Sequence, residues 1–157
     1  MNTKVELIAA KARKSISDYC YNDCKSYCCR NGYLILNEKE AKLIINEKFE
    51  EFIENNTLIK LDENKFSLNF NKNNRSCPCL VEFKCTIHKK RLRPKTCKNF
   101  PIYVNEEEKM VLISNRCFAV KEGKLYAFIY QFKNLGYKIV KGHDNSDIDF
   151  SKIIDSC

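Results

Sequence analysis

The segment Cys20-Tyr21-Asn22-Asp23-Cys24-Lys25-Ser26-Tyr27-Cys28-Cys29 puts four thiols into ten residues. Were residues 20–28 one helix, Cys20 and Cys28 would stand about 12 Å apart along its axis. A zinc ion with Zn–S bonds of about 2.3 Å spans no such gap. Side chains four residues apart have Cβ atoms about 5–6 Å from each other, which one ion or one cluster bridges. Either the helix breaks near Cys20 or the motif feeds more than one metal position. Adjacent Cys28 and Cys29 point in different directions on any regular backbone, which again favours two positions or a polynuclear centre.

The remaining thiols follow in Cys77-Pro78-Cys79-Leu80, Cys85-Thr86-Ile87-His88, Arg93-Pro94-Lys95-Thr96-Cys97 and Asn115-Arg116-Cys117, with Cys157 last. Nine of the ten fall between Cys20 and Cys117, a grouping that buried inert thiols do not explain. Residues 1–14 show neither the apolar core nor the cleavage site of a signal peptide. A cytoplasmic location is therefore expected, and in that reducing compartment thiols bind metal rather than pair as disulfides. Soft thiolates select zinc, Cu(I) and iron–sulfur clusters. No apolar run approaches the roughly 18 residues of a spanning helix, so no membrane association is expected.

With 157 residues, 44% hydrophobic and 31% charged, the chain suits one domain and is too apolar for wholesale disorder. Residues 3–19 read as an amphipathic helix through Val5, Ile8, Ala12, Ile16 and Tyr19. A second helix starts at Asn37, with Glu40 at the capping-box position and Ala41, Ile44, Ile45, Phe49, Phe52 and Ile53 as its apolar face; Asn55-Asn56 ends it. Thr57–Leu61 and Lys65–Phe70 flank a turn at Asp62-Glu63-Asn64, and Ile102–Asn105 faces Met110–Ser114 across Glu106-Glu107-Glu108, which predicts two hairpins. A third helix carries Leu125, Phe128, Ile129, Phe132 and Leu135, with Gly136 as its C-cap and a strand at Tyr137–Val140. In the polar tail only Ile148, Phe150, Ile153 and Ile154 offer packing. The expectation is a small α+β domain spanning residues 1–157, with amphipathic helices and short β-hairpins around a multi-cysteine metal centre. Its core covers 20–117, with helix 3–19 and the extension 118–157 packed on it.

The ordered elements CYNDCKSYCC, LILNEKEAKLI, CPCL, CTIH, RPKTCKNFP and NRC resemble the YkgJ-type cysteine-cluster proteins, or CxxCxxCC domain. That resemblance implies zinc or iron chelation and carries eight ligand positions onto Cys20, Cys24, Cys28, Cys29, Cys77, Cys85, Cys97 and Cys117. The family usually spaces its opening cysteines two apart, whereas here each gap is three. Cys79 replaces a preferred Phe, and Lys98 a usual Arg. The wider opening is similar to the cysteine segment of flagellin lysine N-methylases, which share the domain and are associated with an iron–sulfur cluster. Those enzymes are much longer, so their activity does not carry over.

Cys79 is a further candidate ligand, or equally a small packing residue. His88, three residues after Cys85, is a candidate through its imidazole. Cys157 reads as an idle thiol and His143 as a surface residue. Arg93 presents donors in a fixed fork suited to sulfur or carboxylate. Between Lys84 and Lys98 stand seven cations and no acid, including Lys89, Lys90, Arg91 and Arg93, in a chain of formal charge +8. One reading is an anion or nucleic-acid contact. The favoured one is compensation of thiolate centres: eight thiolates remove eight charges and two zinc ions return four, leaving about +4. The aromatic residues supply no base-stacking platform.

No phosphate loop, nucleophile elbow or HExxH is present, and no catalytic residue is assigned. The sequence thus supports a metal-binding protein holding an iron–sulfur cluster, with 4Fe–4S favoured, or zinc. Its role would be structural, electron-transferring or metal-delivering. The alternatives are an accessory component of a lysine-methylation-like system with a protein partner, and a zinc-stabilised nucleic-acid- or ribosome-binding module.

Overall fold

The computed structural model describes residues 3–70 and 75–142; His143, Cys157 and the packing handles Ile148, Phe150, Ile153 and Ile154 lie outside the described residues. In chain order the helices are α1 (Lys4–Ser15), α2 (Ser17–Asn22), α3 (Tyr27–Arg30), α4 (Glu38–Ile45), α5 (Phe49–Glu54), α6 (Lys95–Asn99), α7 (Phe118–Lys121) and α8 (Tyr126–Asn134). The strands are β1 (Tyr33–Leu36), β2 (Leu58–Asp62), β3 (Lys65–Asn69), β4 (Leu80–Val81), β5 (Lys84–Cys85), β6 (Ile102–Asn105), β7 (Met110–Ser114) and β8 (Lys138–Gly142). The fold is α+β. Among the described residues no helix is long and apolar enough to cross a membrane.

The described chain divides into two compact units. The first comprises the residues up to Cys24 and from Asn99 onward. Its sheet runs β6-β7-β8. The β6–β7 hairpin forms as its alternation predicts, pairing Ile102 with Ile113 and Val104 with Val111. Strand β8 pairs parallel to β7, Val111 with Ile139, after the chain crosses over through α8. Helix α1 packs on β6 and α8. Val5, Ala9, Ala12 and Ile16 recur on its inner face, and the two alanines, fully buried, let the helix approach the sheet closely. Arg13 fastens the same helix: its Nε donates to the carbonyls of Asn99 (3.1 Å) and Ile102 (3.2 Å), and Nη2 donates to Ile102 at 2.6 Å. Leu125, Ile129 and Phe132 of the α8 segment complete this core; burying a side chain like Phe132 contributes about 2–3 kcal/mol. Gly136 adopts φ +81° after the helix, the left-handed conformation that glycine enters without a Cβ penalty.

The predicted helix over 3–19 is instead α1 followed by α2, with the chain loosened at Ile16 (φ −101°, ψ 4°) and helical again past Cys20 to Asn22. The break falls between Cys20 and Cys24.

The second unit is Lys25–Lys98. Its sheet has order β1-β3-β2, all antiparallel, with Leu36 opposite Phe66 and Leu58 opposite Leu68. Strand β1 is an addition to the hairpin foreseen from sequence; its four residues are too short a run to read by periodicity alone. Ala41, Ile44, Ile45 and Phe52 from α4 and α5 join Leu36, Leu58, Phe66, Leu68 and Phe70 in the second core. Phe49 meets Phe66 edge-on with ring centroids 5.7 Å apart. The helix foreseen from Asn37 to Ile53 is interrupted at Asn46, whose φ of +57° is more tolerable for Asn than for most residues. A 3₁₀ turn, Asn46–Lys48, then leads into α5. The cap at Asn37 forms as read. Asn37 Oδ1 accepts from Glu40 N at 2.9 Å, and Glu40 Oε2 accepts from Asn37 N at 3.0 Å.

Candidate metal centre

The opening motif is divided by the fold. Cys20 lies on α2 and Cys24 just beyond it, where its N–H donates to Tyr19 O at 2.9 Å. Both belong to the first unit, as does Cys117, which precedes α7 with an extended backbone (φ −77°, ψ 120°). Cys24 and Cys117 are close enough to act on each other electrostatically. Burial pushes the Cys117 thiol up, against the opposite pull of the Val120 and Ala119 backbone N–H groups. Three expected ligands therefore share one unit.

Cys28 and Cys29 sit on α3 in the second unit, with Cys77, Cys79, Cys85 and Cys97. Strained backbone holds this region. Lys25 and Ser26 both have positive φ (54° and 52°), as do Glu82 and Phe83 (48° and 64°). Strands β4 and β5 pair Val81 with Lys84, so Glu82-Phe83 is a two-residue hairpin turn with positive φ at both centres. Asn-Gly is the usual solution there; Glu and Phe are costly substitutes. The two strained pairs are tied together: Ser26 Oγ donates to Phe83 O at 2.6 Å, while Lys25 and Arg30 stand over the Phe83 ring, 5.8 and 5.6 Å from its centroid. Nearby, Cys77 N donates to Cys29 O at 2.8 Å, joining α3 directly to the Cys77-Pro78-Cys79 segment.

Cys29 is the common neighbour. Its thiol acts electrostatically on Cys77, Cys85 and Cys97. Cys97 is pushed up to about 12, chiefly by burial and then by Cys29. Cys85 is also raised by burial, against a lowering by the Ile87 backbone N–H and by Arg93. Cys77 is raised by its hydrogen bond to Cys79 and then by burial, while the same bond draws Cys79 down to about 7. Cys79 thus accepts from Cys77, and its own Sγ donates to Ile44 O at 3.9 Å.

The prolines at 94 and 101 bracket the segment that carries Cys97. Cys97 lies on α6, where Pro94, fully buried, accepts from Lys98 N at 2.9 Å and starts the helical turn. Thr96 Oγ1 donates to Ile35 O at 2.8 Å and Lys95 N to Glu40 Oε1 at 3.1 Å, so Glu40 both caps α4 and holds the Cys97 segment. Sequence reading missed this second use of Glu40 because a capping box carries no trace of a distant acceptor.

His88 is exposed, its N–H donating to Cys85 O at 3.2 Å. Burial, Arg93 and Lys89 lower its pKa, so its imidazole is held toward the neutral form. Lys89, Lys90 and Arg91 are exposed; Arg93 is half-buried.

None of the nine described cysteines forms a disulfide. Among the described residues, no three His, Cys, Asp or Glu side chains already form a cage for an ion. A thiol must lose its proton to ligate a metal, and metal binding is coupled to that loss. The chemistry of the cysteines fits zinc or iron: thiolates are favoured donors for both, and the second unit holds six of the cysteines.

The family model named CxxCxxCC, "Putative zinc- or iron-chelating domain", matches residues 19–122, and the chain belongs to this family. The matched span covers every cysteine named here except Cys157. Neither the curated proteins nor the solved structures contain a match to the chain.

Proposed function

We propose that Cys29, Cys77, Cys85 and Cys97 ligate an iron–sulfur centre of the 4Fe–4S type, and that Cys20, Cys24 and Cys117 form a second sulfur set that takes a separate metal ion. The observation that carries this reading is the position of Cys29, whose thiol neighbours the other three. Four thiolates suffice for one cubane cluster, which then carries a net charge of about −2. The seven cations between Lys84 and Lys98 belong to the same unit and offset that charge. Cys79 is the spare thiol, hydrogen-bonded to Cys77.

The role is structural first. The four ligands would join α3, the Cys77 segment, β5 and α6, pieces of two to five residues that are too short to persist on their own. A bound cluster supplies a one-electron couple, and the apolar side chains of Leu36, Ile44 and Phe66 in the same core limit solvent access to it. Cysteines in this number without disulfides suit a reducing compartment, which supports a cytoplasmic location.

Anoxic purification followed by iron, sulfide and zinc analysis tests the reading. The expected product is brown, with about four iron and four sulfide per chain. Cys29→Ser loses the colour, and Cys117→Ser keeps it. A colourless protein with stoichiometric zinc overturns the cluster and leaves a thiolate zinc site; equal loss of colour in both variants overturns the division into two sets.

A further inference from the structure

Arg93 carries a donor with nothing to donate to. Its Nε is sealed from solvent and has no hydrogen-bond partner. Buried polar atoms are paired in the great majority of proteins, and an orphan on a charged group is among the costliest kinds. The side chain cannot easily swing out to water, because its segment is fixed on several sides. Arg93 N donates to Lys90 O at 3.1 Å, Pro94 is fully buried, and Lys95 N and Thr96 Oγ1 are anchored to Glu40 and Ile35.

Arg93 precedes Cys97 by four residues on the same anchored segment, and its charge is felt at two thiols and at His88. The guanidinium acts on both Cys85 and Cys97, in each case favouring the thiolate. Glu40 is the carboxylate that acts on Cys97, yet both its oxygens are committed to the backbone N–H groups of Asn37 and Lys95. A protonated thiol is a weak acceptor; a metal-bound thiolate is a good one. The buried Nε therefore gains an acceptor when metal makes either sulfur a ligand.

We propose that Arg93 donates its buried Nε–H to a thiolate sulfur of the Cys85–Cys97 pair once the centre is loaded, and so strengthens the hold of those sulfurs on the metal. The inference rests on the thiolate centre proposed above. Arg93 is a positioning residue: it touches the ligand sulfur, not the metal. The gain is differential, since the donor is unpaired without metal and paired with it. Groups hydrogen-bonded to metal ligands commonly change affinity by about 10–100-fold.

The test uses the full chain, stripped of metal and kept anoxic, with Co²⁺ and ¹¹³Cd²⁺ as probes. Arg93→Lys keeps the charge but cannot place an N–H at the Nε position, and Arg93→Gln removes the charge. Both variants are expected to bind Co²⁺ at wild-type stoichiometry but roughly 10–100-fold more weakly. Their sulfur-to-cobalt charge-transfer band is expected at longer wavelength, because a sulfur lone pair without its hydrogen bond lies higher in energy. Wild-type affinity and band position in Arg93→Lys overturn the proposal. Should neither variant fold, wild-type protein loaded with ¹¹³Cd²⁺ decides. A scalar coupling between the Arg93 Hε and cadmium, carried through the N–H···S bond, is expected, and its absence overturns the inference. Wild-type protein that develops no sulfur-to-cobalt band at all overturns the thiolate centre itself, and with it this role for Arg93.

Discussion

Thr57 is 1% exposed, and its hydroxyl has no hydrogen-bond partner although its backbone N–H is bound by Asn55 Oδ1 at 3.0 Å. Val has the same shape without the hydroxyl, so Thr57→Val removes a buried unpaired dipole and is expected to stabilise the protein by about 1 kcal/mol. Urea unfolding of the two proteins checks this; a destabilised variant means the hydroxyl has a use. At this same scale the cysteines were easy to find and hard to sort. Spacing exposed eight candidate ligands and the problem posed by residues 20–28. It did not expose that Cys117 feels Cys24 while Cys77, Cys85 and Cys97 each feel Cys29. The boundary between the two units falls before Lys25-Ser26, where two ordinary residues adopt the left-handed region. Nothing in Lys or Ser announces such a conformation.

The helix α4 begins with reciprocal bonds between Asn37 and Glu40, and the other oxygen of Glu40 accepts from Lys95 N. Asn37→Ala removes one half of the cap and is expected to cost about 1 kcal/mol. Glu40→Ala loses the other half of the box and the anchor of the Cys97 segment, and is expected to cost roughly 2 kcal/mol. Thermal or urea melts compare them, and equal losses would show that the Lys95 contact contributes nothing. Elements with strong local signals were legible: the capping box, the β6–β7 hairpin across its acidic turn, and α8 with Gly136 behind it. The misreadings share a cause. Helix 3–19 is loosened at Ile16 and helix 38–53 at Asn46, although apolar periodicity runs through both points. Periodicity reports which face is buried and is silent about a kink that keeps the same face inward. Strand β1 is held by β3, distant along the chain, and β4 and β5 are two residues each around a turn without Asn or Gly, so their own residues carry little signal.

On the scale of the whole molecule, the charge and the cysteines answer each other. The +8 count omits thiolates, and the cations from Lys84 to Lys98 share a unit with six of the cysteines. Membership of a zinc- or iron-chelating family gives that juxtaposition a chemical reason. If metal ligation holds the short elements of the second unit, stripping it with a chelator under reducing, anoxic conditions should lower the melting temperature by roughly 10 °C, on the order expected when a ligand near a thousandfold above its Kd is withdrawn. An unchanged melt would mean that the apolar cores suffice alone.

The most direct measurement is an anomalous difference map, at the iron and zinc absorption edges, from crystals grown without oxygen or chelator. A peak bonded to the sulfurs of Cys29, Cys77, Cys85 and Cys97 is predicted, with Arg93 Nε against one of those sulfurs. A well-ordered chain with these four sulfurs protonated and free of metal would contradict the account.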